Sequence, residues 1–231
     1  MSTSGSIDFS QTTTEIIKDA LLLVNAVEDE ETPSDSHIAI TKRALNRLAK
    51  AWMKRGLKSW LQQEGELYLA NGQTSYTIGA SGDLDIDRPL DIYAARWVSG
   101  DEETPVLPFS RTEYFNQVNK TIEGKPVRYY YDPQLTQGVL YLWPTPDDSQ
   151  DTLKFSYRTP VEDFDSVSND PHFPQEWLHA LVLNLATQVF HLGAVDAQRR
   201  MEIRTEAMQA LMDAEFHDND DSSVYLVPEY R

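Results

Sequence analysis

Apolar positions follow two rhythms along this chain. Toward either end they recur every three or four residues, the period of one helix face; in the middle they alternate or run in short blocks, as strands do. The strongest helical signal spans 174–192. Trp177, Leu178, Leu181, Val182, Leu185, Val189 and Leu192 share one face, and Leu183, Ala186 and Phe190 add apolar surface on other sides. A helix apolar on most of its circumference is expected at the centre, packed on several sides. Pro174 suits its first position, Glu176 its positive end and Gly193 its left-handed stop. His179, Asn184, Gln188 and His191 interrupt it, which argues against a membrane span.

Three further helices are expected. Near 13–27, Thr12 and Glu15 stand at capping-box spacing ahead of Ile16, Ile17, Ala20, Leu21, Val24 and Val27. Near 33–55, Thr32 and Pro33 open a helix whose seam is Ile38, Thr41, Leu45, Leu48 and Trp52 and which stops at Gly56. Near 196–216, Met201, Ala207, Met208, Leu211 and Ala214 are read as inward and Arg199, Arg200, Arg204 and Glu206 as outward.

Between the helices, about 61–158 reads as a β-rich insertion. Glu66–Ala70 and Thr74–Ile78 flank Asn71 and Gly72, the favoured pair for a type I′ turn, so a hairpin is expected there. Leu90–Val98, Val106–Leu107, Val127–Tyr131, Val139–Trp143 and Leu153–Tyr157 read as strands, with a short helix capped by Ser110 over Arg111–Val118. The last strand alternates cleanly: Leu153, Phe155 and Tyr157 on one face, Lys154 and Ser156 on the other. Tyr129, Tyr130, Tyr131, Tyr141 and Trp143 are read as sheet packing, with a ligand platform as the alternative. The fold class is therefore α+β: a four-helix core from 1–60 plus 159–217, an inserted domain at 61–158, and an extended docking tail at 218–231. In that tail Val224, Tyr225, Leu226, Val227, Pro228 and Tyr230 form an apolar run with no partner element of its own, and such segments commonly dock on another chain.

Composition narrows the function. The formal net charge is −17, which repels nucleic-acid phosphates overall and argues against a dedicated DNA binder. Against that background Arg43, Arg47, Lys50 and Lys54 line one side of the second helix, flanked by Lys42, Arg55 and Lys58, with no acid between Asp35 and Glu64. Three readings stand: a solvated face with acidic neighbours in the same chain, contact with an acidic partner subunit, or a face toward passing DNA. No basic region followed by an apolar run marks a signal peptide at the N-terminus, so synthesis in the cytoplasm is expected.

The chain offers no catalytic constellation. It has no cysteine, and the phosphate-loop, nucleophile-elbow and zinc-protease patterns are missing. Asp83, Asp85 and Asp87 hint at a calcium loop, but the sixth and twelfth positions hold Arg88 and Ala94 where Gly and a bidentate acid are needed. No cofactor, no metal and no enzymatic activity are expected.

The order and spacing of several segments resemble the head-to-tail adaptor (head-completion) proteins of short-tailed phages. The likeness is carried by Thr14–Ala20, by Ala51-Trp52 with Arg55-Gly56-Leu57, and by Gly72–Ile78 with Arg88-Pro89-Leu90. It continues through Gly124-Lys125-Pro126, Tyr129–Tyr131, Leu140–Pro146 and Phe173–Trp177, and so covers most of 12–217. The resemblance implies a structural protein at the head–tail junction of the virion, made in the host cytoplasm. It implies a ring of about twelve copies beneath the portal protein. Such a ring extends the DNA channel, helps retain packaged DNA, admits ejection and presents a docking surface to the tail nozzle or tube. The partners implied are the portal, further copies of this chain, the tail protein and DNA in transit, with no membrane. Two other classes stay open from the residues alone: a glycan-hydrolysing envelope enzyme, and a monomeric ligand-binding module using the aromatics of the insertion.

Overall fold

The computed structural model describes residues 5, 9–55, 59–166 and 170–218. In chain order its elements are α1 (Thr13–Leu23), α2 (Asp35–Met53), β1 (Gln62–Tyr68), β2 (Ser75–Ile78), β3 (Asp91–Ser99), β4 (Glu102–Pro108) and α3 (Arg111–Phe115). Then follow β5 (Arg128–Pro133), β6 (Gly138–Trp143), β7 (Thr152–Arg158), α4 (Gln175–Gln188) and α5 (Ala197–His217). Among the described residues the fold is mixed α+β, with five α-helices and a curled seven-stranded sheet. The described residues of Met1–Ser59 and Val161–Arg231 form one unit and Trp60–Pro160 forms the other.

In the helical unit, α4 is the hub. It packs against α1, α2 and α5, and α1 also meets α2. α5 packs chiefly on α4, so the helices of this unit gather around one member. Trp177, Leu178, Leu181, Leu183, Leu185 and Ala186 of α4 are all buried, as its nearly continuous apolar circumference requires. Asn184 is its polar tie: the side-chain amide donates to Ala180 O within α4 and to Ala207 O of α5, both at 2.9 Å. Trp52 of α2 packs against Trp177 with ring centroids 5.5 Å apart.

The starts of α1 and α5 match the sequence reading, and other helix ends depart from it. The capping box of α1 is present: Thr12 N donates to the Glu15 carboxylate at 2.7 Å, and Glu15 N donates to Thr12 Oγ1. The Thr12 N–H and the Thr12 hydroxyl, which also donates to the carboxylate at 2.9 Å, hold the Glu15 carboxyl below its ordinary range. At the other end α1 stops at Leu23, not near residue 27. Asn25 takes a positive φ of 53°, Asn25 N donates to Leu22 O at 3.0 Å and Ala26 N to Leu21 O at 2.9 Å. That pairing is a Schellman stop with asparagine in the left-handed position. Val24 and Val27 stay buried beyond it, which is why the apolar stripe overran the helix. Ser34, not Thr32, caps α2 by accepting from His37 N. Pro174 caps α4 instead of opening it, and α4 ends at Gln188, short of residue 192. Asp196 caps α5 by accepting from Arg199 N at 2.8 Å.

In the second unit the strand order is β1-β7-β3-β4-β5-β6-β2, antiparallel throughout except for β4 beside β5. Every strand sends residues into one core, among them Leu67, Tyr76, Trp97, Val106, Tyr129, Leu140 and Phe155. The alternation of β7 places Leu153, Phe155 and Tyr157 inward. The expected hairpin about Asn71 and Gly72 does not form: β1 pairs with β7 and β2 with β6, so the two strands lie at opposite edges of the sheet. The turn itself exists, with Gln73 N donating to Ala70 O at 3.1 Å. Within it only Gly72 has positive φ, at 77°. That is the pattern of a type II turn, which splays its flanks instead of matching strand twist as type I′ would. The short helix α3 carries a second capping box, Ser110 with Glu113, but ends at Phe115, well before Val118.

Candidate subunit interface

The basic stripe of α2 is real but incomplete. Thr41, Ala44, Leu45, Leu48, Ala49 and Trp52 are buried, which turns Arg43, Arg47 and Lys54 outward; all three are exposed. Lys50 is half-buried and engaged: its ammonium lies 2.7 Å from the Asp163 carboxylate and donates to Val161 O at 2.7 Å. Lys42 donates to Asp165 O at 2.8 Å. Asn46 fixes this loop by a reciprocal pair, accepting from Phe164 N at 2.9 Å and donating to Phe164 O at 3.3 Å. Val161 and Phe164 bury their side chains beneath it.

The loop 161–165 thus lies along α2 and leaves a shallow groove of ≈ 440 Å³, lined by Asn46, Arg47, Lys50, Ala51, Lys54, Asp163 and Asp165. Part of the stripe is neutralised within the chain. Among the described residues, no ion pair engages Arg43, Arg47 or Lys54. The sequence reading had not brought Asp163, Asp165 or Asn46 to this face; the acidic loop is distant in sequence, and the burial of Val161 and Phe164 together with the Asn46 bonds positions it.

On α5 the inward face is Ile203, Ala207, Leu211 and Ala214. Met201 and Met208, expected inward, are 72 % and 58 % exposed. Met212 and Phe216 are also exposed. Arg204 is exposed, as expected, and Arg200 is half-buried; their guanidinium groups lie 5.5 and 5.9 Å from the centroid of the Phe190 ring. The tail residues Val224, Tyr225, Leu226, Val227, Pro228 and Tyr230 lie outside the described residues.

The aromatics of the sheet are not an open platform. Tyr129 is buried in the sheet core, and its hydroxyl donates to Ile92 O at 3.2 Å. Tyr131 packs against the same core and donates to Pro89 O at 2.7 Å; burial pushes its hydroxyl up to about 12. Tyr130 and Tyr141 stack on the other face with centroids 5.6 Å apart. Tyr114 of α3 covers them, at 5.7 and 4.9 Å, and Trp143 Nε1 donates to Asn119 O. These rings form a satellite core roofed by α3.

Two members of the acidic triplet are likewise engaged. The Asp83 carboxylate accepts from Thr77 N and Thr77 Oγ1, both at 2.7 Å, which lowers its pKa from the ordinary value, and Asp85 accepts from Ser81 N. They staple the loop after β2. Among the described residues, no group of three or more His, Asp or Glu is placed to hold a metal ion, and no helix is long and apolar enough to cross a membrane.

What this geometry offers is surface: a cationic helix face beside a shallow groove, and a second helix with apolar side chains on the outside. A comparison with curated proteins gave no match. Among protein families, the sequence model described as SU10 adaptor protein matches residues 11–228.

Proposed function

Because the chain belongs to the SU10 adaptor protein family, a family of structural phage adaptors, we propose that it forms the head-to-tail adaptor ring of a phage virion. In this reading identical copies bind beneath the portal, continue its channel toward the tail, help retain packaged DNA and present the surface on which the tail nozzle or tube docks. The observation that carries the proposal is the family match, which spans nearly the whole chain.

The physical properties of the chain support it. A ring subunit needs rigid elements, and α4 with the helices around it supplies them. It needs two unlike surfaces that repeat around an axis; the cationic face of α2 in a chain of net charge −17 is one of an unlike pair. A channel wall carrying that charge repels DNA phosphates and does not grip the passing duplex, which suits transit. The apolar run from Val224 to Tyr230 is the part we assign to tying a subunit to its neighbour or to the portal.

Removing residues 222–231 tests this assignment. The truncated subunit is expected to keep its helical content and thermal midpoint while its assembly with portal, followed by sedimentation, is weakened at least tenfold. Undiminished assembly by the truncated chain would show that the tail does not tie subunits together.

A further inference from the structure

The sheet has two edges, β2 and β1, and the chain closes only the first. At β2, Thr77 N donates to the Asp83 carboxylate at 2.7 Å and Thr77 O accepts from Leu84 N at 3.1 Å, so the following loop caps the edge. β1 is the longer edge, and its residues run opposite β7 without a bulge. Thr159 N donates to Leu61 O at 2.9 Å and Leu69 N to Asp151 O at 3.0 Å. Antiparallel bonding alternates along a strand, so Gln63, Gly65 and Leu67 also turn their backbone groups toward β7. Gln62, Glu64, Glu66 and Tyr68 turn theirs to the open side, where among the described residues no strand pairs with them. Such a row of N–H and C=O groups is a template for one more strand.

The chain carries a segment that fits. The run 224–230 matches β1 in length, and Pro228 decides how it can lie. Proline has no N–H to donate, so in a sheet its nitrogen faces away from the partner strand. Val224 and Leu226 then also turn their backbone groups away, while Tyr225, Val227 and Glu229 bond to β1. Paired residues share a face, which puts Tyr225 and Val227 on the exposed face with Glu64 and Glu66, and Val224 and Leu226 on the inward face with the buried Leu67. Run antiparallel with Leu226 beside Gly65, the segment sets Val224 beside Leu67 and Glu229 beside Gln62, clear of both glutamates. Gly65 has no side chain of its own, and the Phe155 and Tyr157 rings lie within 3.3 Å of where its Cβ would stand, so Leu226 meets an aromatic surface. Asp220 and Asp221 fall beyond the end of β1, past Tyr68.

We infer that residues 224–230 of one copy add as an eighth strand to the β1 edge of the next. The contact joins two different surfaces of identical chains, so its repetition generates a ring. The inference rests on the proposed ring and names the surface that receives the tail.

Engineered disulfides test it, because the chain has no cysteine of its own. In the proposed register Glu66 stands directly opposite Tyr225, about 5.5 Å apart between Cα atoms, within disulfide reach. Full-length chain carrying Glu66→Cys with Tyr225→Cys is mixed with portal, oxidised and run on a denaturing gel without reductant. Disulfide-linked multimers are expected, at least tenfold more than from either single variant or from Glu66→Cys with Leu226→Cys, whose side chains fall on opposite faces. Glu66→Pro removes an N–H on the open side alone; it is expected to keep the thermal midpoint and to weaken assembly with portal at least tenfold. Three results overturn the β1 contact and leave the ring reading in place, provided the wild-type chain still assembles: no linked multimers, links confined to single chains, or equal linkage in the Leu226 pair. Undiminished assembly by folded Glu66→Pro does the same. Wild-type protein that stays monomeric with portal overturns both.

Discussion

Gly193 has no room for a side chain. A Cβ there would stand 1.7 Å from the Val24 carbonyl oxygen and 2.7 Å from its carbon, both backbone atoms that cannot swing aside. The residue lets the chain beyond α4 pass directly over the Schellman turn that ends α1. Gly193→Ala is therefore expected to cost about 2–3 kcal/mol, as overpacking against backbone does, read as a shift in the urea midpoint followed by tryptophan fluorescence. A change below about 0.5 kcal/mol would show that the turn relaxes freely. From sequence the same glycine read as a left-handed stop, because its position after an apolar run fits both roles. Only the chain crossing it, some 170 residues away in sequence on the scale of the whole domain, decides between them. Asn184 shows the same limit. As a polar residue in an apolar run it read as an interruption, whereas its amide joins α4 to α5 by donating to Ala207 O while also donating to Ala180 O within α4.

At the scale of elements, periodicity was reliable where one side of an element is buried and the other wet. The alternation of β7 located its inward residues, and the capping box at Thr12 and Glu15 located the start of α1. It misled where both sides are apolar. α5 carries apolar residues on two flanks, so Met201 and Met208 were read as inward beside Ala207, Leu211 and Ala214, and Ile203 was missed. The two faces make a direct contrast. On the free subunit, Ile203→Ala is expected to cost about 2–4 kcal/mol through the cavity it leaves, and Met208→Ala less than about 0.5 kcal/mol; equal losses in chemical denaturation would reverse the assignment of faces. The hairpin failed for a different reason. The dipeptide Asn71-Gly72 does make a turn, but strand partners are chosen by the whole sheet, and all seven residues of β1 pair with β7.

For the molecule as a whole, the α+β class and the family were legible because they depend on the order of many segments, and the match across residues 11–228 agrees with the resemblance read from those segments. The candidate interface was legible in part. Arg43, Arg47 and Lys54 are exposed as expected, but Lys50 is held by Asp163 through a loop whose docking no local pattern announces. The account of function turns on assembly, and mass reports assembly most directly. Native mass measurement of the purified chain, alone and with the portal of the same phage, is predicted to show a closed set of identical copies added to the portal. A chain that remains monomeric beside intact portal, at concentrations well above those of assembly in the cell, would contradict it.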